Sequence, residues 1–321
     1  MLSVCIPVSK YENVEFFKRS IRSLRRFIGS RDELVLIIDE GTNWVGKEFV
    51  PAGRSSIVTV KVGVGRAREA CYLSTSNDIL MYMDSHVFVD VDPHKYVEYM
   101  SRDVGVLVPR VCIWRDLDVL DPKTYADGSY FTFYTQRWVY IYNYSGKPVD
   151  ILGSNEPVYF VRRELLNRLR KLRGITYLPY WGKEIYDVTI SAWRLGYRVI
   201  NVPIAGFYHL WRPSFPKGRF TDYGMYRFEP WINDISSINA NPFTMSICIN
   251  NWLYVLMHYS DEELEEAMES IIKGMGCYHK IAIPLIRKYF NRYIEAFKSH
   301  RLPPLKTVYS RFSRRYSNVW Y

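Results

Sequence analysis

The sequence predicts an α/β protein: a mainly parallel sheet flanked by helices, followed by a C-terminal helical extension. Three observations carry this. Apolar runs alternate with helical patterns through the first 110 residues, two of those runs end on an aspartate, and beyond residue 215 the pattern reads as helical.

Leu2–Val8 reads as the first strand. Phe17, Ile21, Leu24 and Ile28 then recur at i, i+4, i+7 and i+11, one face of a helix. Leu34–Ile38 is wholly apolar, as a strand covered on both faces must be, and closes on Asp39. Ile57–Val62 follows as a strand, Gly65–Thr75 as a helix, Ile79–Met83 as a strand, Pro93–Ser101 as a helix and Gly105–Val111 as a strand. Strands joined through helices become parallel neighbours, and such sheets bind ligands beyond their carboxyl ends, where Asp39 and Asp84 fall. Residues 112 to 150 are Tyr-rich and read as irregular, a candidate flap. Pro213, Pro216 and Gly218 place a boundary near 215, dividing the chain into 1–215 and a mainly helical, basic extension, 216–321. Within the extension Asp261–Ile272 reads as an acidic helix capped by Ser260, and about Ile281–Lys298 as a basic one with Pro284 in its first turn.

The net charge of +10 resides in the tail: residues 273 to 321 carry eleven Lys and Arg against Glu295 alone, and the first 272 residues balance. Any electrostatic argument for an anionic partner therefore belongs to the tail. On the basic helix Ile286, Phe290, Tyr293 and Phe297 form an apolar stripe opposite Arg287, Lys288, Arg292 and Lys298. That stripe either docks on the main domain or lies at an anionic membrane surface. Aromatics reach 16% with 27 Tyr, a supply suited to sugar-stacking walls or interfacial belts as well as to a core. Cys5, Cys71, Cys112, Cys248 and Cys277 are scattered and odd in number, which argues against a disulfide framework and for a reducing compartment. No charged leader precedes the first strand, and Phe243–Tyr259, the nearest approach to a membrane span, is broken by Asn250, Asn251 and His258. The expectation is a cytoplasmic protein, peripheral at a membrane if the tail binds one.

Asp84-Ser85-His86 follows the strand Ile79–Met83. Residues two apart in a strand point the same way, so a carboxylate and an imidazole emerge together at its end. His209, closing the strand-like run from Val202, offers a third ligand. One oxygen and two nitrogens suit a divalent transition ion better than magnesium, which prefers oxygen ligands; the alternative is a strand-end turn with a hydrogen-bonded histidine. In Trp181–Gly196, helical spacing puts Glu184, Asp187 and Ser191 on one face and Ile185, Val188 and Ala192 on another, with Gly196 as the stop. The acidic face is either a pair of acid/base candidates or a solvated surface.

The ordered set of strand-end Asp39, Arg66-Ala67-Arg68, Asp84-Ser85-His86, Gly153-Ser154-Asn155, Trp181-Gly182-x-Glu184 and Pro203-x5-His209-x2-Arg212 resembles metal-dependent nucleotide-sugar glycosyltransferases of the GT-A fold. The broad likeness is to glycosyltransferase family 2. The Asp84–Val87, Arg66–Arg68 and Pro203–Arg212 motifs are most similar to the catalytic domain of polypeptide N-acetylgalactosaminyltransferases, over roughly residues 1–215. The resemblance implies that Asp84, His86 and His209 hold Mn2+ (or Mg2+) against the diphosphate of a nucleoside-diphosphate sugar, a UDP-sugar being favoured. It implies donor contacts from Pro7, Asp39, Arg66, Arg68, Asp84, Gly153, Ser154, Asn155, Trp181, Gly182 and Arg212. Catalytic duty would fall to Glu184 and Asp187. The acceptor would be a hydroxyl of a glycan, a lipid-linked glycan or a protein.

Two departures matter. Inverting relatives place Asp after this glutamate and retaining ones Asn, whereas here stands Ile185; retention is mildly favoured. The lectin module of many animal relatives is replaced by residues 216–321. Two rivals differ in what they require. A nucleotidyltransferase acting on sugar phosphates needs a Gly- and Lys-rich phosphate loop after the first strand, and Ser9-Lys10-Tyr11-Glu12-Asn13 is not one. A nucleic-acid-binding protein would work through the basic tail, and it leaves the acid and histidine constellation without a purpose.

Overall fold

The computed structural model describes residues 1–50, 54–60, 63–116, 119–134, 137–154, 156–211, 229–236, 238, 240–275 and 278–312. Its centre is one mixed, mostly parallel sheet of ten strands. β1 (Ser3–Val8), β2 (Glu33–Asp39), β3 (Ser55–Val60) and β4 (Ile79–Met83) are mutually parallel in the order β4-β1-β2-β3. β5 (Val87–Val89) pairs antiparallel with the long β12 (Arg198–His209), which lies parallel to β6 (Val104–Asp116). β7 (Val119–Ala126) folds back on β6, and β8 (Ser129–Phe131) with β9 (Trp138–Tyr140) makes a separate hairpin. β10 (Val149–Asp150) edges β12, and β11 (Val158–Arg162) is antiparallel to both β4 and β6.

The period of two along each strand builds a core on each face of this sheet. Leu2, just before β1, and Val4, Ile6 and Val8 on it join one core, which α1 (Val14–Arg25) covers with Phe17, Ile21 and Leu24. The Asn13 side chain caps α1 by accepting from the backbone N–H groups of Glu15 and Phe16. Cys5, on the opposite side of β1, joins the second core, made with α2 (Val64–Ser74), α4 (Arg163–Arg173) and α5 (Glu184–Arg194). The short α3 (His94–Val97) belongs to the first core through Tyr96, and it ends well short of the helix the sequence suggests at Pro93–Ser101.

The extension supplies α6 (Ile232–Ser236), α7 (Pro242–His258), α8 (Asp261–Met275), α9 (His279–Tyr289), α10 (Asn291–Lys298) and α11 (Leu305–Ser310). Their apolar residues merge into the second core rather than forming one of their own. In α7 two of the three residues that interrupt its apolar run point inward: Asn250 and His258 are buried and hydrogen-bonded, while Asn251 is half-buried. Among the described residues no helix is long and apolar enough to cross a membrane. Ser260 and Glu263 form a reciprocal capping box at the start of α8, the Ser260 N–H donating to Glu263 Oε2 and the Glu263 N–H to Ser260 Oγ.

Three expectations change, and one open alternative is decided. Residues 112 to 150 are largely hairpin strands, because Tyr, Val and Trp favour extended backbone. The basic helix is two helices, since Phe290 leaves helical backbone (φ −122°) between α9 and α10. Of the two readings of the tail stripe, docking holds: Ile286, Phe290 and Phe297 are buried, with Ile294 beside them and Tyr293 half-buried, so this apolar face does not offer itself to a membrane. Lastly, Cys5 and Cys71 are joined in a disulfide (Cα to Cα 5.9 Å), against the expectation of unpaired cysteines. α2 packs on β1 and closes a 66-residue separation that spacing alone conceals.

Candidate active site

Three strand ends meet where the predicted ligands lie. Asp84 follows β4 and His86 leads into β5; β5 pairs with β12 so that Val87 faces His209, and the Leu210 N–H donates to the His86 carbonyl (3.2 Å). Cross-strand pairing thus carries His209 back over 123 residues of chain to the Asp84 turn. The ligand atoms of Asp84, His86 and His209 all lie within 4.8 Å of one another. His209 Nε2 stands 3.6 Å from Asp84 Oδ2, and the two imidazole centroids are 4.7 Å apart. Burial pushes the Asp84 carboxyl up, but the close approach of the His209 ring and the charges of His86, His209 and Arg68 outweigh it and hold the group down at about 2. Asp84 is a carboxylate across the working pH range.

Behind the cluster stands Glu12, at the β1–α1 turn and buried. Its Oε2 is 3.0 Å from His86 Nδ1 and accepts from the Ser85 hydroxyl. A carboxylate on Nδ1 fixes the ring so that Nε2 is the donor atom, a common arrangement behind metal-bound histidines. The donor set therefore fits a divalent ion in chemistry, spacing and support. Sequence reading passed over Glu12; its position between Tyr11 and the cap Asn13, on the loop after β1, was the available signal.

Arg68 on α2 links the cluster to α5. Its guanidinium is buried, lies 3.8 Å from Asp84 Oδ1 and donates through Nη1 to Glu184 Oε1. Glu184 is buried, and its Oε2 has no hydrogen-bond partner among the described residues. Burial pushes the Glu184 carboxyl up and Asp84 adds to this, while Arg68 draws it down; the net shift is upward. Glu184 is the first residue of α5 and follows Lys183, the one described non-glycine residue in left-handed backbone (φ 59°). A sharp bend therefore aims this helix start at the strand ends.

Asp187 is not brought to this cluster. It lies wholly buried, paired at 2.8 and 2.6 Å with the Arg173 guanidinium and at 2.7 Å with His258 Nε2. Burial would push its carboxyl up, but Arg173 and His258 hold it below the usual range. Its partners lie on α4 and α7, so the acidic face of α5 divides: Glu184 faces the cluster and Asp187 ties three helices together.

The remaining predicted positions fall as follows. Pro7 and Asp39 end β1 and β2 at the same edge of the sheet. Arg66 is half-exposed and donates to Glu229 Oε2 at 2.9 Å. Gly153 is closely packed, because a Cβ there would come within 2.4 Å of the Tyr186 ring; Ser154 is buried, and its Oγ accepts from the Glu156 N–H at 3.0 Å. Trp181 is exposed, stacks on Phe243 at 6.3 Å and leads into Gly182, whose carbonyl accepts from Asn250 Nδ2. Asn155 and Arg212 lie outside the described residues.

A second residue missed in the sequence is Glu156, wholly buried, with its neighbour Pro157 accepting from the Asp84 N–H at 2.9 Å. Burial raises its carboxyl and the nearby Asp127 raises it further; the Ser129 hydroxyl offsets this only in part, leaving the group at about 8. A protonated carboxyl beside the Asp84 turn can donate a hydrogen bond as well as accept one.

No family model matches the sequence, and no curated protein matches it. Solved structures do. GalNAc-T7, in a crystal structure with UDP, GalNAc and Mn2+, superposes with a TM-score of 0.66 at 16% identity over 99% of this chain and 58% of its own, so this chain spans a little over half of that protein. The mannosyltransferase PcManGT from Pyrobaculum calidifontis, with GDP-Man and Mn2+, gives 0.49 at 12% identity over 98% of this chain and 79% of that one. TarS from S. aureus (1-349) gives 0.48 at 12% over 97% and 91%. The chain has the GT-A fold, the α/β fold of nucleotide-sugar glycosyltransferases.

Proposed function

We propose that this chain is a metal-dependent glycosyltransferase that moves a sugar from a nucleoside-diphosphate sugar, with UDP-sugars favoured, to a hydroxyl acceptor. The observation that supports this best is the convergence of Asp84, His86 and His209 at the carboxyl edge of the sheet, with Glu12 behind His86 and Arg68 connecting Asp84 to Glu184. Asp84, His86 and His209 would hold Mn2+ or Mg2+, which supplies positive charge against the departing diphosphate. Arg68 adds a fixed cation between the ligand Asp84 and Glu184, and its burial keeps that charge strong. Glu184, desolvated and with one oxygen unengaged among the described residues, is suited to a hydroxyl of donor or acceptor. Commitment of Asp187 to Arg173 removes one of two candidate bases and favours retention of configuration. The β1–α1 turn bears Glu12 against His86 rather than a glycine-rich phosphate cradle, which weighs against nucleotidyl transfer.

The test is a thermal-shift screen of UDP-, GDP- and dTDP-sugars with and without Mn2+. A ligand at a hundred times its Kd stabilises by about 2.7 kcal/mol. One nucleotide sugar should shift the melt only when the metal is present, and His209→Ala should abolish that shift. A screen in which no nucleotide responds to metal refutes the proposal.

A further inference from the structure

Trp138-Val139-Tyr140-Ile141-Tyr142-Asn143-Tyr144 alternates strictly. Ile141 and Asn143 are buried and Val139 is half-buried, while Tyr140, Tyr142 and Tyr144 are exposed by 42%, 48% and 83%. The segment stays extended beyond β9, since the Ile141 N–H donates to the Gly128 carbonyl (2.8 Å) and the Asn143 N–H to Asp127 Oδ2 (2.7 Å). Tyr140, Tyr142 and Tyr144 therefore stand on the outer face, with the half-buried Trp138 preceding them against Phe131, a ridge of about 20 Å at 3.3 Å per residue. Surface aromatics at this density call for a partner.

The ridge is continuous with the metal cluster. Trp211, 40% exposed, meets the His209 ring edge to face at 4.5 Å, and Tyr140 meets Trp211 at 6.5 Å. Trp138 contacts Tyr140 at 5.9 Å, and Tyr142 and Tyr144 stack with an interplanar angle of 21°. Flat rings with polar tips, following one another along a surface that leads to the metal, match the alternating apolar faces and hydroxyl edges of a saccharide chain. A peptide adding to the sheet would use its edge and side-chain pockets, whereas the aromatics here occupy a face.

We infer that Trp138, Tyr140, Tyr142, Tyr144 and Trp211 form the acceptor platform and that the acceptor is a saccharide chain; this rests on the glycosyl-transfer reading of the site. The ridge holds several sugar residues in line and presents the terminal one at the His209 end.

Affinity electrophoresis of the full chain through gels containing dextran, mannan or β-glucan tests it, with sedimentation on neutral and anionic vesicles and a panel of Ser/Thr peptides alongside. At least one polysaccharide should retard the protein, and Tyr142→Ala/Tyr144→Ala should weaken that retardation about tenfold or more. Tyr99→Ala, an exposed tyrosine elsewhere, should leave it intact. The inference is overturned by no retardation in any of the three gels, by retardation the double variant does not change, or by ridge-dependent binding of peptides or vesicles instead. Mn2+-dependent nucleotide shifts on the same protein judge the donor site separately.

Discussion

Replacing Glu156 with Gln should stabilise the protein at neutral pH, and the gain should grow with pH. The carboxyl is raised from an ordinary 4.5 to about 8 by burial, so between those values the folded chain holds a proton that the unfolded chain has released. Stability therefore falls as pH rises through this window. At about 1.4 kcal/mol per pH unit, the cost is near zero at pH 4.5, about 3 kcal/mol at pH 7 and about 5 kcal/mol above pH 8. Gln keeps the shape and cannot ionise, so the variant escapes this cost, less a pH-independent offset for any hydrogen bond it makes less well. Melting curves of both proteins from pH 4.5 to 8.5 measure the difference. At roughly 2 °C per kcal/mol for a chain of this length, the gap at pH 7 should exceed that at pH 4.5 by about 6 °C. Parallel curves across the range would refute the reasoning and mean that a cation or solvent reaches Glu156.

Three further outcomes are expected. Glu12→Gln should weaken Mn2+ binding, read by calorimetry, by about 10- to 100-fold, because His86 loses the carboxylate on Nδ1; unchanged affinity would mean the ring is oriented by other contacts. Asp187→Asn should cost about 3–5 kcal/mol in chemical denaturation, because it leaves Arg173 buried without its counter-charge, whereas Glu184→Gln should lower kcat by about 100-fold or more; the reverse ranking would make Asp187 the catalytic group. Gly65→Ala should lower the melting temperature markedly, since its Cβ would fall 1.7 Å from the Leu178 carbonyl oxygen, and a variant that melts normally would show that α2 can move away from that strap.

The parts of this molecule legible in the sequence are those whose signal is local. Strands β1 to β4 and helices α1 and α2 announce themselves through period and run length, and Asp84 with His86 through their position after an apolar run. His209 was legible only as the end of a strand-like segment, and the pairing of β12 with β5 supplies the rest. What stayed hidden depends on side chains distant in sequence. Nothing in the spacing of Glu184 and Asp187 says that Arg173 and His258 close around the second and leave the first to Arg68. Glu12 carried only the faint signal of its place after β1, and Glu156 sits in a loop whose composition is ordinary, so that burial reveals it. Cys5 and Cys71 meet because a helix crosses a strand, which counting cysteines cannot foresee.

The inward-facing polar groups of α7 have a consequence for how this chain can change. Asn250 Oδ1 accepts from the Tyr180 N–H at 3.1 Å, its Nδ2 donates to the carbonyls of Tyr180 and Gly182, and about two turns further on, at the end of the same helix, His258 grips Asp187. The backbone on which Glu184 stands is thus held from a helix remote in sequence from Asp84 and His86, so substitutions in the extension would register at the candidate site rather than as loss of an independent module. Grafting the first 215 residues onto another protein would carry the ligands across and leave behind the bracing that aims them.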